Sequence, residues 1–244
     1  MREKLSMSRK IGYGFGMFGE SIAMNMFLVY FLFFLTDVVG MDPALSGTIV
    51  TVCAFWGAFT DLAAGAKSDA SRNPKGKRGP FIFKSAILLG IAIFLVYSDW
   101  DFIPDNMKPV YFVAALLIYY FSLSFTDMPY QSLGSEITEN AGERVQLRSI
   151  ANVLNYVGMI LASSGTLVLV TVFMNGGSSY SGAWSKVGLL FGVLTVIAYW
   201  LSVLAAKGKE PIPSEDEQVE KFSLVNIFKN YIEVMKLKAY RPFL

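Results

Sequence analysis

Three carboxyl side chains stand inside long apolar runs: Glu20, Asp61 and Asp127. A charge at the centre of a membrane helix costs about 2.5–3.5 kcal/mol, so acids in that setting usually serve an ion, proton or substrate path. Counting inward from the flanking basic segments at 1.5 Å rise per residue sets all three at one depth, about 9–14 Å. The three can therefore face one cavity. The competing reading is that each is paired within the fold and only fixes packing.

Their neighbours sharpen the chemistry. Pro129 has no backbone N–H, which frees the carbonyl of Phe125. Beside Asp127 such a carbonyl is expected to accept a hydroxyl or to help hold a cation. Gln131 lies one helical turn on, on the face of Asp127, and Thr126 is adjacent to it. Further along, Arg148, Asn152, Asn155 and Tyr156 form an i, i+4, i+7, i+8 stripe, expected to look into a bundle of helices. An arginine there offers paired donors to a diol or carboxylate; snorkelling to the membrane boundary is its other reading.

These residues need elements to carry them, and composition says which kind. Of the 244 residues, 54% are apolar and only 16% charged, with a mean hydropathy of +0.47, whereas soluble domains average about 25% charged. No Lys or Arg occurs between Lys10 and Lys67. The pattern predicts an all-α membrane protein with six spans, at 11–36, 44–66, 81–98, 110–134, 149–174 and 184–206. Polar or helix-breaking turns separate them at 40–43, 73–79, 104–109, 139–143 and 175–182.

Basic residues gather in the tail (Arg2, Lys4, Arg9, Lys10), after the second span (Lys67, Arg72, Lys75, Lys77, Arg78) and after the fourth (Arg144, Arg148). The opposite side carries Lys108 and Lys186. Both ends of the chain are thus expected in the cytoplasm, in a multi-pass protein of the cell membrane. Residues 1–206 read as a six-helix bundle. Residues 207–244 read as a cytoplasmic middle loop with an amphipathic helix, where Leu224, Ile227, Phe228, Tyr231 and Met235 recur at helical spacing. Apolar character has only just resumed at Phe243 and Leu244, which suggests either the first part of a longer protein or a half that pairs with a second copy.

Several classes drop out. The cations lie in loops rather than along a stripe, so nucleic acid is not an expected partner. One cysteine, Cys53, leaves no internal disulfide, and the absence of histidine argues against zinc or His-base chemistry. Gly14, Gly16 and Gly19 spell GxGxxG, but no strand precedes them and no βαβ unit follows. Repeated small residues, Gly12, Gly16 and Gly19 in the first span and Gly158, Ala162 and Gly165 in the fifth, predict close helix packing. With no nucleophile motif and no closely spaced acids, an enzyme is not expected.

Two sets of residues carry a resemblance. Gly65 and Asp69, then Arg72, Lys75, Lys77, Arg78, Gly79 and Pro80, resemble the loop after the second helix of major facilitator proteins, where an acid meets cations as a conformational latch. Tyr13 to Gly16, Thr36 to Gly40, Trp56 to Asp61 and Asp127 to Leu133 are similar to the glycoside–pentoside–hexuronide:cation symporters, over the N-terminal half of such a protein. The resemblance implies a cation site at Asp61, Thr60 and Thr126, and a sugar site at Asp127 and Arg148. Glu20, Gln131, Asn152 and Tyr156 would line the same cavity.

The sequence also departs from the family's melibiose carrier. Gly57 stands where that carrier has the first acid of helix 2, four residues before the one that Asp61 matches, Glu20 and Ser21 replace its Lys–Asp pair, and Gln131 replaces a tryptophan. Losing one carboxylate favours a proton at Asp61, with sodium the alternative. The implied activity is symport of a sugar or glycoside by alternating access, the bilayer and a C-terminal half or second copy being its partners. Two other readings stay open: a carrier of a lysolipid or other amphiphile, and a non-transporting membrane assembly or sensor.

Overall fold

The computed structural model describes residues 5–74 and 76–210. The expected middle-loop helix and Lys75 lie outside them. Six helices carry the chain: α1 Met7–Phe33, extended by a π turn Phe34–Val38; α2 Pro43–Asp69; α3 Gly79–Val96; α4 Lys108–Glu136, preceded by a 3₁₀ turn Asp105–Met107; α5 Ala141–Asn175; and α6 Tyr180–Ala206. There is no strand among the described residues. Each helix is long and apolar enough to cross a bilayer, so the chain is an integral membrane protein.

The starts of the helices follow from their caps. Ser6, Asp42, Asn140 and Ser179 each accept a hydrogen bond from the first turn through the side chain, which satisfies N–H groups that would otherwise have no partner. The capping by Asn140 corrects one boundary. Residues 139–143 were expected to be a turn, with the span starting at 149. The Glu143 amide instead donates to Asn140 Oδ1 at 3.1 Å, and α5 begins eight residues earlier than expected, at Ala141. Arg144 and Arg148 therefore ride on a helix and not in a loop.

Small residues let the backbones approach. α1 packs most extensively on α5 and α6, α3 lies between α4 and α6, and α2 leans on α4. A Cβ at Gly158 would stand 2.7 Å from the Phe18 carbonyl oxygen, and one at Gly192 2.4 Å from that of Gly90. Gly12 and Gly19 likewise seat α6, while Gly165 meets only Leu161 of its own helix and is not part of a close interface. At the end of the bundle away from the basic loops, Tyr30, Phe31, Phe34, Tyr97, Phe112 and the fully buried Trp184 pack as one aromatic core. α2 and α5 are the least buried helices and expose Val52, Phe55, Val153, Ile160 and Val168.

Candidate functional site

A pair of tyrosines fixes how α1 meets α4. Tyr13 and Tyr130 stack with ring centroids 4.8 Å apart. Tyr130 Oη donates to the Tyr13 carbonyl at 3.0 Å and accepts from the Met17 amide at 3.1 Å, and Tyr13 Oη donates to the Tyr130 carbonyl at 3.4 Å. Each ring occupies space that a glycine leaves on the other helix: a Cβ at Gly16 would fall 2.2 Å from Tyr130, and one at Gly134 2.2 Å from Tyr13 Oη. Both rings are fully buried.

One turn away, this seating brings together side chains from α1, α4 and α5. Gln131 Nε2 donates to Glu20 Oε2 at 3.0 Å and to Asp127 Oδ1 at 3.2 Å. Its Oε1 accepts from Arg148 Nη1 at 2.7 Å, and its backbone carbonyl accepts from Arg148 Nη2 at 3.1 Å. Both ends of the Gln131 side-chain amide and its backbone carbonyl are thereby engaged with charged partners, so the glutamine relays between two carboxyls and one guanidinium. Arg148 remains exposed, while Glu20, Asp127 and Gln131 are half-buried. Asp61 on α2 is half-buried.

The remaining expected site residues are less convergent. Thr60 Oγ1 is buried and shares a 2.8 Å hydrogen bond with Ser124, between α2 and α4. Thr126 is fully buried and donates to Ser85 of α3 at 2.9 Å, on the side of α4 turned away from Gln131. The carbonyl of Phe125, freed by Pro129, was expected to serve a ligand. It instead accepts from Ser85 Oγ at 3.0 Å, because a buried carbonyl needs a partner and α3 supplies one. The polar stripe on α5 also needs correcting. Asn155 Nδ2 reaches the Met17 carbonyl at 3.5 Å, but Asn152 and Tyr156 point out of the six-helix bundle and are exposed. The inner face of α5 belongs to Leu147, Ala151, Gly158, Ala162 and Thr166, small enough for α1 to pack against.

A second polar cluster closes the basic end. Arg78 is 4% exposed and pairs with Asp69 at 2.5 Å and Glu136 at 2.8 Å, while Nη1 donates to Ser68 Oγ at 2.6 Å. The ends of α2 and α4 are thus tied by one guanidinium. Burial alone would lower its pKa; the hydrogen bonds and charges of Glu136 and Asp69 outweigh that and hold it above the ordinary arginine value. Glu210, just beyond α6, accepts from the backbone amides of Arg78 and Gly79 at the start of α3. Gly76, at φ +121°, gives that carboxylate its space, since a Cβ would stand 2.3 Å from Glu210 Oε2. Of the other residues expected here, Gly65 faces open space, Lys77 is half-buried and Arg72 exposed. Glu136 and Glu210 were not anticipated: both are ordinary exposed-looking acids in sequence, and only the fold brings them to Arg78.

Comparison with known proteins agrees with the fold. A family model described as MFS/sugar transport protein matches residues 12–244. The chain is 29% identical to a Bacillus subtilis protein named as the uncharacterized symporter YjmB, over 94% of this chain and 49% of that one. It is 32% identical to the inner membrane symporter YicJ of Escherichia coli, over 82% and 42%. It is 29% identical to YagG of Escherichia coli, provisionally named a glycoside/cation symporter, over 81% and 43%. The chain spans about half the length of the curated relatives it matches. The resemblance to the glycoside–cation symporters is borne out, and so is the six-helix architecture of one major facilitator half. On the match of its sequence and the order of its helices, this chain belongs to the MFS/sugar transport protein family.

Proposed function

We propose that this chain forms one half of an alternating-access carrier that couples uptake of a sugar or glycoside to a cation. The observation that carries the reading is the linkage of Arg148 through Gln131 to both Glu20 and Asp127, which sets charged groups of three helices on one cavity wall. Asp127 accepts sugar hydroxyls, Arg148 and Gln131 donate to them, and Glu20 completes the wall. Asp61, with no side-chain hydrogen bond among the described residues, takes the coupling proton or sodium ion next to Thr60. Thr126, turned to α3, stays outside the ion's shell in this conformation.

Asn152 and Tyr156 face outward on α5, where a second six-helix unit, from the rest of a longer chain or from another copy, supplies the opposite cavity wall. Residues 1–206 form the moving bundle and 207–244 the connection beyond it. The Arg78 cluster acts as the latch that holds the ends of α2 and α4 together. Its basic surroundings support a reading in which this end, and the N-terminus, face the cytoplasm across the cell membrane. Uptake of labelled glycosides by the full-length protein in proteoliposomes, under separate sodium and proton gradients, tests the reading. Gradient-driven sugar uptake supports it; uptake of lysolipid instead, or of nothing, moves the assignment to an amphiphile carrier or a non-transporting role.

A further inference from the structure

Lys84 has no function in the scheme above. It lies one and a half turns into α3, a span with no other charged residue, and it is exposed on the outer surface of the bundle. It makes no hydrogen bond or ion pair with any described residue. A lone ammonium at that depth needs either a route to water or an anion.

The surface around it favours an anion of a particular shape. Lys84 stands on the rim shared by two apolar grooves on either side of α3. One, of about 790 Å³, runs between α3 and α6 past Phe83, Val203 and Leu204 to Lys207. The other, of about 410 Å³, runs between α3 and α4 past Leu88, Phe121 and Phe125. The walls are firm. Phe83 and Trp200 stack at 4.7 Å, with Trp200 Nε1 donating to the Phe83 carbonyl at 3.1 Å, and Phe121 stacks on Phe125 at 4.4 Å. The acid on this rim, Glu210, makes its hydrogen bonds to the Arg78 and Gly79 amides, and among the described residues it forms no ion pair with either lysine.

We infer that the basic end of α3 is a binding site for an anionic phospholipid, with its phosphate on Lys84 and Lys207 and its acyl chains in the two flanking grooves. One cation between two apolar troughs matches one headgroup bearing two chains, and the site lies where a membrane's headgroup layer meets the ends of α3 and α6. Basic pockets between spans on the positive side of a membrane protein are a recurrent way of holding such headgroups. A lipid there would bridge α3 to both α4 and α6, beside the Arg78 cluster.

The full-length protein, delipidated in a neutral detergent, is titrated with phosphatidylglycerol or phosphatidylcholine of identical chains, with bound lipid counted by native mass spectrometry. Wild type is expected to prefer phosphatidylglycerol. Lys84→Gln should weaken that binding by about fivefold, and Lys84→Gln with Lys207→Gln by about 25-fold, since each lysine near a phosphate contributes a factor of that order. Binding of phosphatidylcholine should not change, and Lys84→Arg should retain the preference, which also serves should the glutamine variants fail to fold. Equal binding of both lipids by wild type, or undiminished phosphatidylglycerol binding by folded Lys84→Gln, would overturn the inference.

Discussion

Tyr13 and Tyr130 each rest in the space left by a glycine of the other's helix, at Gly134 and Gly16, and each hydroxyl bonds to the other's backbone. This reciprocal seat sets the register of α1 against α4, and Glu20 meets Gln131 only in that register. The expected result for Gly16→Ala is a loss of about 1–3 kcal/mol, the usual cost of overpacking a filled interior. Thermal unfolding in detergent measures it. Tyr130→Phe keeps the stack but strips the Met17 amide and Tyr13 carbonyl of a partner, for about 1 kcal/mol.

Gln131→Leu removes the amide that Glu20 and Asp127 share and the acceptor of Arg148. Leaving charged groups without a partner costs about 1–3 kcal/mol, so substrate affinity should fall about 10–100-fold. Gln131→Asn, too short to span the same partners, should behave like the leucine variant. Isothermal titration with a panel of glycosides measures the affinity, and a circular-dichroism check that the variant is still helical separates this from a global loss of fold.

Arg78→Gln breaks the tie between α2 and α4. Removing one member of a buried ion pair costs about 3–5 kcal/mol, and with Asp69 half open to water the lower end is expected. A double-mutant cycle with Glu136→Gln should show the pair to be coupled; additive losses would argue against the latch.

Burial holds the Glu210 carboxyl above its ordinary pKa, with the amides of Arg78 and Gly79 opposing. A carboxyl whose folded pKa is raised binds protons more tightly in the folded than in the unfolded state. Its contribution is therefore fully present below the unfolded carboxylate value and is lost as pH rises through the folded one. Comparing melting curves across that mildly acidic window, wild type should lose stability relative to Glu210→Gln as pH increases. The difference should be flat at higher pH.

Much of this arrangement was legible in the residues themselves. Long apolar runs between basic turns give the six spans, because a bilayer demands about 20 apolar residues per crossing. The glycines of α1 and Gly158 announced close packing. What stayed hidden depends on distant partners. Ser85 claims the carbonyl that Pro129 frees, a contact 40 residues apart that no local pattern encodes. Asn140 starts α5 early through a single side-chain bond, within a charged stretch that reads as a loop. Asn152 and Tyr156 share the helical stripe of Arg148, yet only Arg148 is long enough to reach back to α4. Glu136 and Glu210 join Arg78 from α4 and from beyond α6, and nothing near them in the chain marks that meeting.

The central claim is that Asp127 receives the substrate's hydroxyls on a wall shared with Glu20 and Arg148. Gradient-driven glycoside uptake by the full-length protein in proteoliposomes, wild type against Asp127→Asn, tests it most directly. Exchanging a charge-assisted hydrogen bond for a neutral one should cut uptake by about 10–100-fold while the protein remains folded. Uptake unchanged in Asp127→Asn would contradict the account.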